Sequence, residues 1–119
     1  MTVLTIIPST TQGTPSGTYD GSSLDFTSLP VEAADYYQGN GSIQTIHIKL
    51  TGFQGIINLV ASLGDDPEQA AWFPLAEFDY SSSPSTVEIA PSYTGNFVWV
   101  RAEVTDFTAG TIDRITINY

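Results

Sequence analysis

The sequence feature that most constrains the fold of this chain is an alternation of two kinds of residue near the C-terminus. Within the segment from residue 96 to residue 106, the alternate positions from 98 to 104 are small and apolar, and those from 97 to 103 carry aromatic and charged groups. The first set is Val98, Val100, Ala102 and Val104, and the second is Phe97, Trp99, Arg101 and Glu103. Side chains of a β-strand alternate between the two faces of a sheet, so only one register keeps the charges out of the core. The pattern predicts a strand whose valine face is buried.

Shorter segments of β-type pattern recur along the chain, and no segment shows sustained helical periodicity. Residues 43–50 and 86–90 alternate, whereas residues 56–63 are apolar at nearly every position, which is typical of a central strand covered on both faces. The positions expected to point inward are Ile46, Ile48, Leu50, Val87, Ile89, Ile115 and Ile117. About eight strands in a single domain of residues 1–119 predict an all-β fold, a two-layer antiparallel β-sandwich of the jelly-roll or Greek-key type.

Glycine and proline mark the expected connections between these strands. Gly39-Asn40-Gly41 suits a tight hairpin turn, and residues 52–55, with glycine at both ends, predict a second turn. Gly110 is expected to separate the long strand from a final one. The turn-rich segment from Ser9 to Ser23 predicts a loop, or an arm that orders against a neighbouring molecule. Residues 31–37 fit either one helical turn or an extended edge.

The chain is strongly acidic, and this narrows its partners. Thirteen acidic residues stand against three basic ones, for a net charge of −10. Binding to phosphate backbones needs several lysines and arginines that displace counterions, so neither nucleic acid nor an anionic membrane surface is an expected partner. No stretch approaches the roughly 18 apolar residues of a membrane span, and the N-terminal run lacks the basic region of a signal peptide. We expect a protein made in a cytoplasm without a signal peptide or a transmembrane segment.

Residue types for common catalytic and metal chemistry are scarce. The chain has no cysteine and a single histidine, His47. The chain therefore lacks the thiolates that zinc–thiolate sites and thiol nucleophiles require. It also lacks the Gly-x-Ser-x-Gly elbow motif of Ser-His hydrolases. We expect His47 to lie exposed on a polar strand face, and Glu77 and Asp79 to lie together on a solvated one. We predict a non-enzymatic protein without a cofactor.

The densest acidic segment is Gly64-Asp65-Asp66-Pro67-Glu68. Its carboxylates at Asp65, Asp66 and Glu68 are candidate calcium ligands, because calcium prefers oxygen donors, but their spacing differs from that of an EF-hand loop. A hydrophilic turn in which proline fixes φ is the simpler interpretation.

Five aromatic residues form the candidate interaction surface. Exposed rings can stack on sugars, because they combine flat apolar area with a polar edge, or they can form contacts between subunits. Packing within the domain or a subunit contact is the favoured interpretation, and sugar stacking is the alternative. The five residues are Tyr36, Tyr37, Trp72, Phe97 and Trp99.

The C-terminal half carries several short motifs in a fixed order. They are Ala61-Ser62-Leu63, Pro67, Trp72-Phe73-Pro74, the segment Tyr93 to Ala102 and the segment Thr108 to Ile115. Through these motifs, residues 53–119 resemble small virion structural proteins of tailed phages, especially those infecting marine cyanobacteria, and their order resembles a galactose-binding-like jelly roll. The resemblance implies a structural or assembly protein of a phage particle, made in the host cytoplasm, that contacts other virion proteins or further copies of itself. It implies no particular site residue. The alternative function is a carbohydrate-binding module that recognises a cell-surface glycan.

Overall fold

Nine strands form one antiparallel sheet in the part of the chain that the computed structural model describes, residues 3–34, 42–64, 71–95 and 97–119. The strands are β1 (Val3–Ile7), β2 (Thr10–Thr11), β3 (Phe26–Thr27), β4 (Val31–Glu32), β5 (Ser42–Ser62), β6 (Phe73–Asp79), β7 (Ser85–Ile89), β8 (Ser92–Gly95) and β9 (Trp99–Asn118). The described residues contain no helix, and so none that could cross a membrane. The predicted all-β class is confirmed, and its division into two layers stays a prediction.

The two longest strands, β5 and β9, form the centre of the sheet. They pair with each other from Thr45 opposite Asn118 to Ser62 opposite Trp99. The outer edge of β9 pairs in turn with β4, β3, β2 and β1, and the outer edge of β5 pairs with β8, β7 and β6. Both segments that had the strongest β pattern are therefore central, because each is hydrogen-bonded on both edges.

The central strands do not run straight. A straight strand of 20 residues would extend over roughly 60 Å at about 3.3 Å per residue, whereas the longest dimension of the molecule is 39 Å. The two ends of β9 lie close together. The phenol of Tyr119, which directly follows β9, donates a hydrogen bond of 2.8 Å to the carbonyl oxygen of Glu32. Glu32 lies opposite Trp99, the first residue of β9. The central strands therefore bend, so that the sheet folds back along its length.

Residues at positive φ, two glycines and one aspartate, produce this bend within continuous strands. Gly52 has φ 60°, Gly110 has φ 88° and Asp106 has φ 53°, and the pairing of β5 with β9 shifts register in this region. The predicted turn at residues 52–55 is wrong, and so is the predicted separation of a last strand at Gly110, because both positions lie inside strands as β-bulges. A bulge inserts an extra residue and bends its strand, so it uses the same residue types as a turn.

Buried and outward-facing side chains alternate along the central strands as the sequence predicts, except that the alternation shifts by one residue at the bend. Ile46, Ile48 and Leu50 are at most 1% exposed before the bend, and on β9 the inward positions Val100, Ala102 and Val104 are completely buried. Val98 is only half-buried, contrary to the prediction, because β9 begins one residue after it. The other buried apolar residues at inward positions of the two strands are Phe53, Ile57, Leu59, Ala61, Phe107, Ile112, Ile115 and Ile117.

Less regular segments also pack on this core. Val87 and Ile89 are half-buried against it, as predicted. Residues 56–63 are central, but Ile56 and Asn58 keep part of their surface exposed, so only one face is fully covered. Of the segment 31–37, β4 is extended, which leaves the helical alternative without support at Val31–Glu32.

The segment from residue 9 to residue 23 packs on its own sheet. It contains β2, which pairs with Ile112 and Thr111, and its Tyr19 is 2% exposed. The Tyr19 ring lies 5.0 Å from that of Phe26 and 5.2 Å from that of Phe107, and its phenol oxygen accepts a hydrogen bond of 3.0 Å from the backbone N–H of Gly13. This segment is a loop that contributes one aromatic side chain to the core.

Candidate functional site

The outer face of β5, β6 and β9 carries a cluster of aromatic and charged side chains. It lies on the side of the sheet opposite the buried alternate positions of β9. Arg101 and Glu103 belong to this face, because they alternate with Val100, Ala102 and Val104, and both keep contact with solvent. We call Trp72, Arg101 and Glu103 the Trp72 cluster.

The guanidinium of Arg101 stacks on the Trp72 ring. Its central carbon lies 4.3 Å from the ring centroid, and Nη2 of the same group donates a hydrogen bond of 3.1 Å to Oε2 of Glu103. The Arg101 and Glu103 side chains are 26% and 35% exposed. A cation over an indole face contributes about 0.5–1 kcal/mol at exposed sites and more when water is excluded. The stack and the ion pair together hold the arginine in one orientation.

One nitrogen of Arg101 has no hydrogen-bond partner in the described part of the chain. Its Nε is buried and has no hydrogen-bond acceptor among the described residues. Val60, opposite Arg101 on the outer face, is 7% exposed although it points away from the core. This part of the outer face is therefore covered and partly dry, unlike an ordinary solvated strand face.

A row of polar side chains crosses the strands and includes Glu103 of the Trp72 cluster. Asn58 of β5 lies opposite Glu77 of β6 on one side and opposite Glu103 of β9 on the other. Residues directly opposite each other in an antiparallel pair share a face, so the amide stands between two carboxylates. Glu77 and Asp79 are exposed, as predicted for a solvated strand face.

The aromatic residues predicted for the interaction surface divide into three groups. Trp72 and Trp99 lie on the outer face, and both are half-buried. Trp99 lines a cavity of about 230 Å³ with Leu4, Pro30, Val31 and Glu32. Phe97 is also half-buried, but its ring centroid lies 5.9 Å from that of Phe73, and it packs against the margin of the core. Phe97 precedes β9, so the alternation of that strand does not extend to it. Tyr36 and Tyr37 lie outside the described residues.

A second group of charged side chains lies on the outer face of the other half of the sheet. His47 Nε2 lies 2.8 Å from Oε2 of Glu88, and Nε of Arg114 lies 3.5 Å from Nδ1 of His47. Arg114 Nε is always a donor, so Nδ1 of His47 accepts and its Nε2–H donates to Glu88. Lys49 lies opposite both Arg114 and Glu88, and the hydrogen bond from His47 holds the pKa of Glu88 below its usual range.

His47 therefore differs from the prediction. Its side chain is 24% exposed and is paired, whereas the sequence predicts a merely exposed residue. The pairing requires β7, which brings Glu88 beside it from 41 positions away.

The predicted calcium ligands Asp65, Asp66 and Glu68 lie outside the described residues. Within the part of the chain that the structure describes, no group of three or more His, Cys, Asp or Glu side chains is arranged to hold a metal ion.

Comparison with known proteins identifies no relative. No family model, no curated protein and no solved structure matches this chain.

Sequence reasoning placed Trp72 among the candidates but missed its partner. The alternation at residues 97–103 assigns Arg101 to the same face as Trp99, which is the available signal. That Trp72 covers this face follows from the pairing of β6 with β5 and of β5 with β9, in which Val60 lies opposite both Pro74 and Arg101.

Proposed function

We propose that this domain is a non-enzymatic structural or assembly protein of a phage particle, and that it docks on a virion protein or a second copy of itself through the Trp72 cluster. The observation that carries the proposal is the stack of Arg101 on Trp72, held by Glu103. Tryptophan and arginine are the residues most enriched at the energetic centres of protein interfaces. All three residues lie in the segment 53–119 that resembles small virion proteins.

The arrangement of the cluster favours this use. Ordering a free arginine at an interface costs about 0.5–1.5 kcal/mol, and here the stack and the ion pair already restrict Arg101. Docking through Arg101 therefore orders fewer side-chain rotamers than docking through an unrestrained arginine.

Light scattering over a range of protein concentrations tests self-association. We expect wild type to form oligomers, and Trp72→Ala to remain folded and monomeric. Ile43→Ala is the matched control, because Ile43 is 60% exposed on the other half of the sheet; this variant should associate like wild type. Equal association of all three proteins would contradict a role of the Trp72 cluster in self-association.

Incorporation into purified particles, compared for Trp72→Ala and Ile43→Ala, tests docking on a different virion protein.

Recognition of a cell-surface glycan is the second candidate. The row formed by Glu77, Asn58 and Glu103 beside Trp72 favours it, because amide and carboxylate groups next to an indole are suited to sugar hydroxyls and ring faces. A glycan array separates the two functions. Binding that is lost in Trp72→Ala and in Asn58→Ala, but kept in Ile43→Ala, supports glycan recognition. Absence of binding by wild type leaves protein docking as the proposal.

A further inference from the structure

A cavity of about 470 Å³ lies where the two halves of the sheet meet at their outer edge. Its walls are the end of β1, the segment from Phe26 to Val31, and the loop at residues 16–18. Its size falls in the range of about 300–1,000 Å³ that is typical of small-molecule sites. It is separate from the Trp72 cluster.

The lining of this cavity is unusual for so acidic a chain. Twelve of the described residues line it, and none of these twelve carries a charge, although the chain has a net charge of −10. Seven of the twelve are aliphatic, aromatic or proline residues, and most of the others carry a hydroxyl group. A charged ligand would lose its hydration here without gaining an opposite charge, which is costly. The cavity therefore selects for uncharged, mainly apolar groups.

The strand edges at the cavity argue against an added peptide strand. Within the described ranges, β1 and β4 each pair with β9 alone, so both are sheet edges that face the cavity. However, Pro8 follows β1 directly and Pro30 precedes β4, and proline lacks the N–H that strand pairing needs. The two strands also approach to within 8 Å between Cα atoms, whereas a strand between them would need about 10 Å, twice the spacing of paired strands.

The geometry points to a binding site for an uncharged, mainly apolar small molecule between β1 and the segment from Phe26 to Val31. Ile6 and Ile7 form part of its floor, because they are 4% and 1% exposed and also belong to the core. Leu29 stands at its rim and is 70% exposed. A ligand that covers Leu29 would remove one of the largest exposed apolar side chains of the described residues from water.

Titration with Nile red, an uncharged apolar dye, tests the site. We expect saturable binding of one dye per chain, with amide shifts confined to residues 5–7, 16–18 and 28–31 in two-dimensional NMR spectra. Leu29→Glu should weaken the binding by about tenfold or more, because it places a charge at an apolar rim. Leu24→Glu is the matched control, since Leu24 is 51% exposed and does not line the cavity; it should bind like wild type. Thermal melts establish that both variants fold.

Three results would overturn the proposal. They are the absence of saturable dye binding by wild type, equal weakening in both variants, and amide shifts elsewhere on the chain. Saturable binding of an uncharged apolar hexapeptide at the same amides, without binding of the dye, would also overturn it, because the occupant would then be a polypeptide.

Discussion

Gly110 lies directly against the backbone of Gly52, so that a Cβ atom on Gly110 would stand 2.1 Å from the carbonyl oxygen of Gly52. Both residues have positive φ, and they lie where β5 and β9 bend together. Two glycines on neighbouring strands therefore allow the backbones to approach at the point where the sheet folds back. The bend depends on this contact, because any side chain at residue 110 would clash with the backbone of Gly52.

Gly110→Ala should lower the free energy of unfolding by roughly 3 kcal/mol or more, since it adds a steric clash with backbone to an unfavourable φ. Gly13→Ala is the matched control: its φ of 91° is nearly the same, but no atom lies within 4 Å of its Cβ position. It should lose only about 1–2 kcal/mol, from backbone strain alone. Denaturant unfolding measures both losses, and equal losses would show that the close approach at Gly52 does not matter.

Val100→Asp should destabilise the domain by about 4 kcal/mol or more, because Val100 is completely buried opposite Ala61 and an unpaired carboxylate there must be desolvated or protonated. Glu103→Gln should cost less than about 1 kcal/mol, as expected for a partly exposed ion pair. Thermal melts of the two variants are the measurement. Similar melting temperatures would contradict the observed register of β9.

Tyr19→Ala should cost about 3–5 kcal/mol, the usual range for removal of a buried aromatic ring. Tyr19→Phe should cost only about 1 kcal/mol, since it keeps the ring contacts and removes the acceptor of the Gly13 N–H. Chemical denaturation distinguishes these values. If the alanine variant were as stable as the phenylalanine variant, the loop at residues 9–23 would not belong to the core.

Asp20 should make stability depend on pH at the acid end. Hydrogen bonds from the backbone of Ser22, and from the side chain and backbone of Ser23, lower its pKa from 3.8 to about 2. Because the folded pKa lies below the unfolded one, this stabilisation is fully present above pH 4. It is lost as the pH falls through the interval from about 4 to about 2.

Melting temperatures measured between pH 5 and pH 2 test this prediction by comparing wild type with Asp20→Asn. Wild type should lose more stability than the variant as the pH falls below 4. A direct NMR titration of the Asp20 carboxyl should give a midpoint near 2. Parallel pH curves for the two proteins would mean that these hydrogen bonds do not persist in solution.

Much of the strand structure follows from local sequence pattern. The alternation in residues 43–50 and 99–104 predicts which side chains are buried, and Ile46, Ile48, Val100 and Ala102 are completely buried. Burying Lys49 or Glu103 instead would carry a large cost, so the register is determined without knowledge of the partner strand. The same reasoning fails at Val98 and Phe97, because the alternation of their residue types does not reveal that the strand begins at Trp99.

The sequence by itself therefore determined the all-β class and the inward face of each strong strand, since the two-residue period of side chains is a local property. Only the tertiary structure decided that Gly52 and Gly110 bend two continuous strands, because a positive φ serves a turn and a bulge equally well. Likewise, only strand pairing brings Trp72 over Arg101, and β1 beside the segment from Phe26 to Val31. These contacts join residues far apart in the chain, and which strands pair depends on the packing of the whole core.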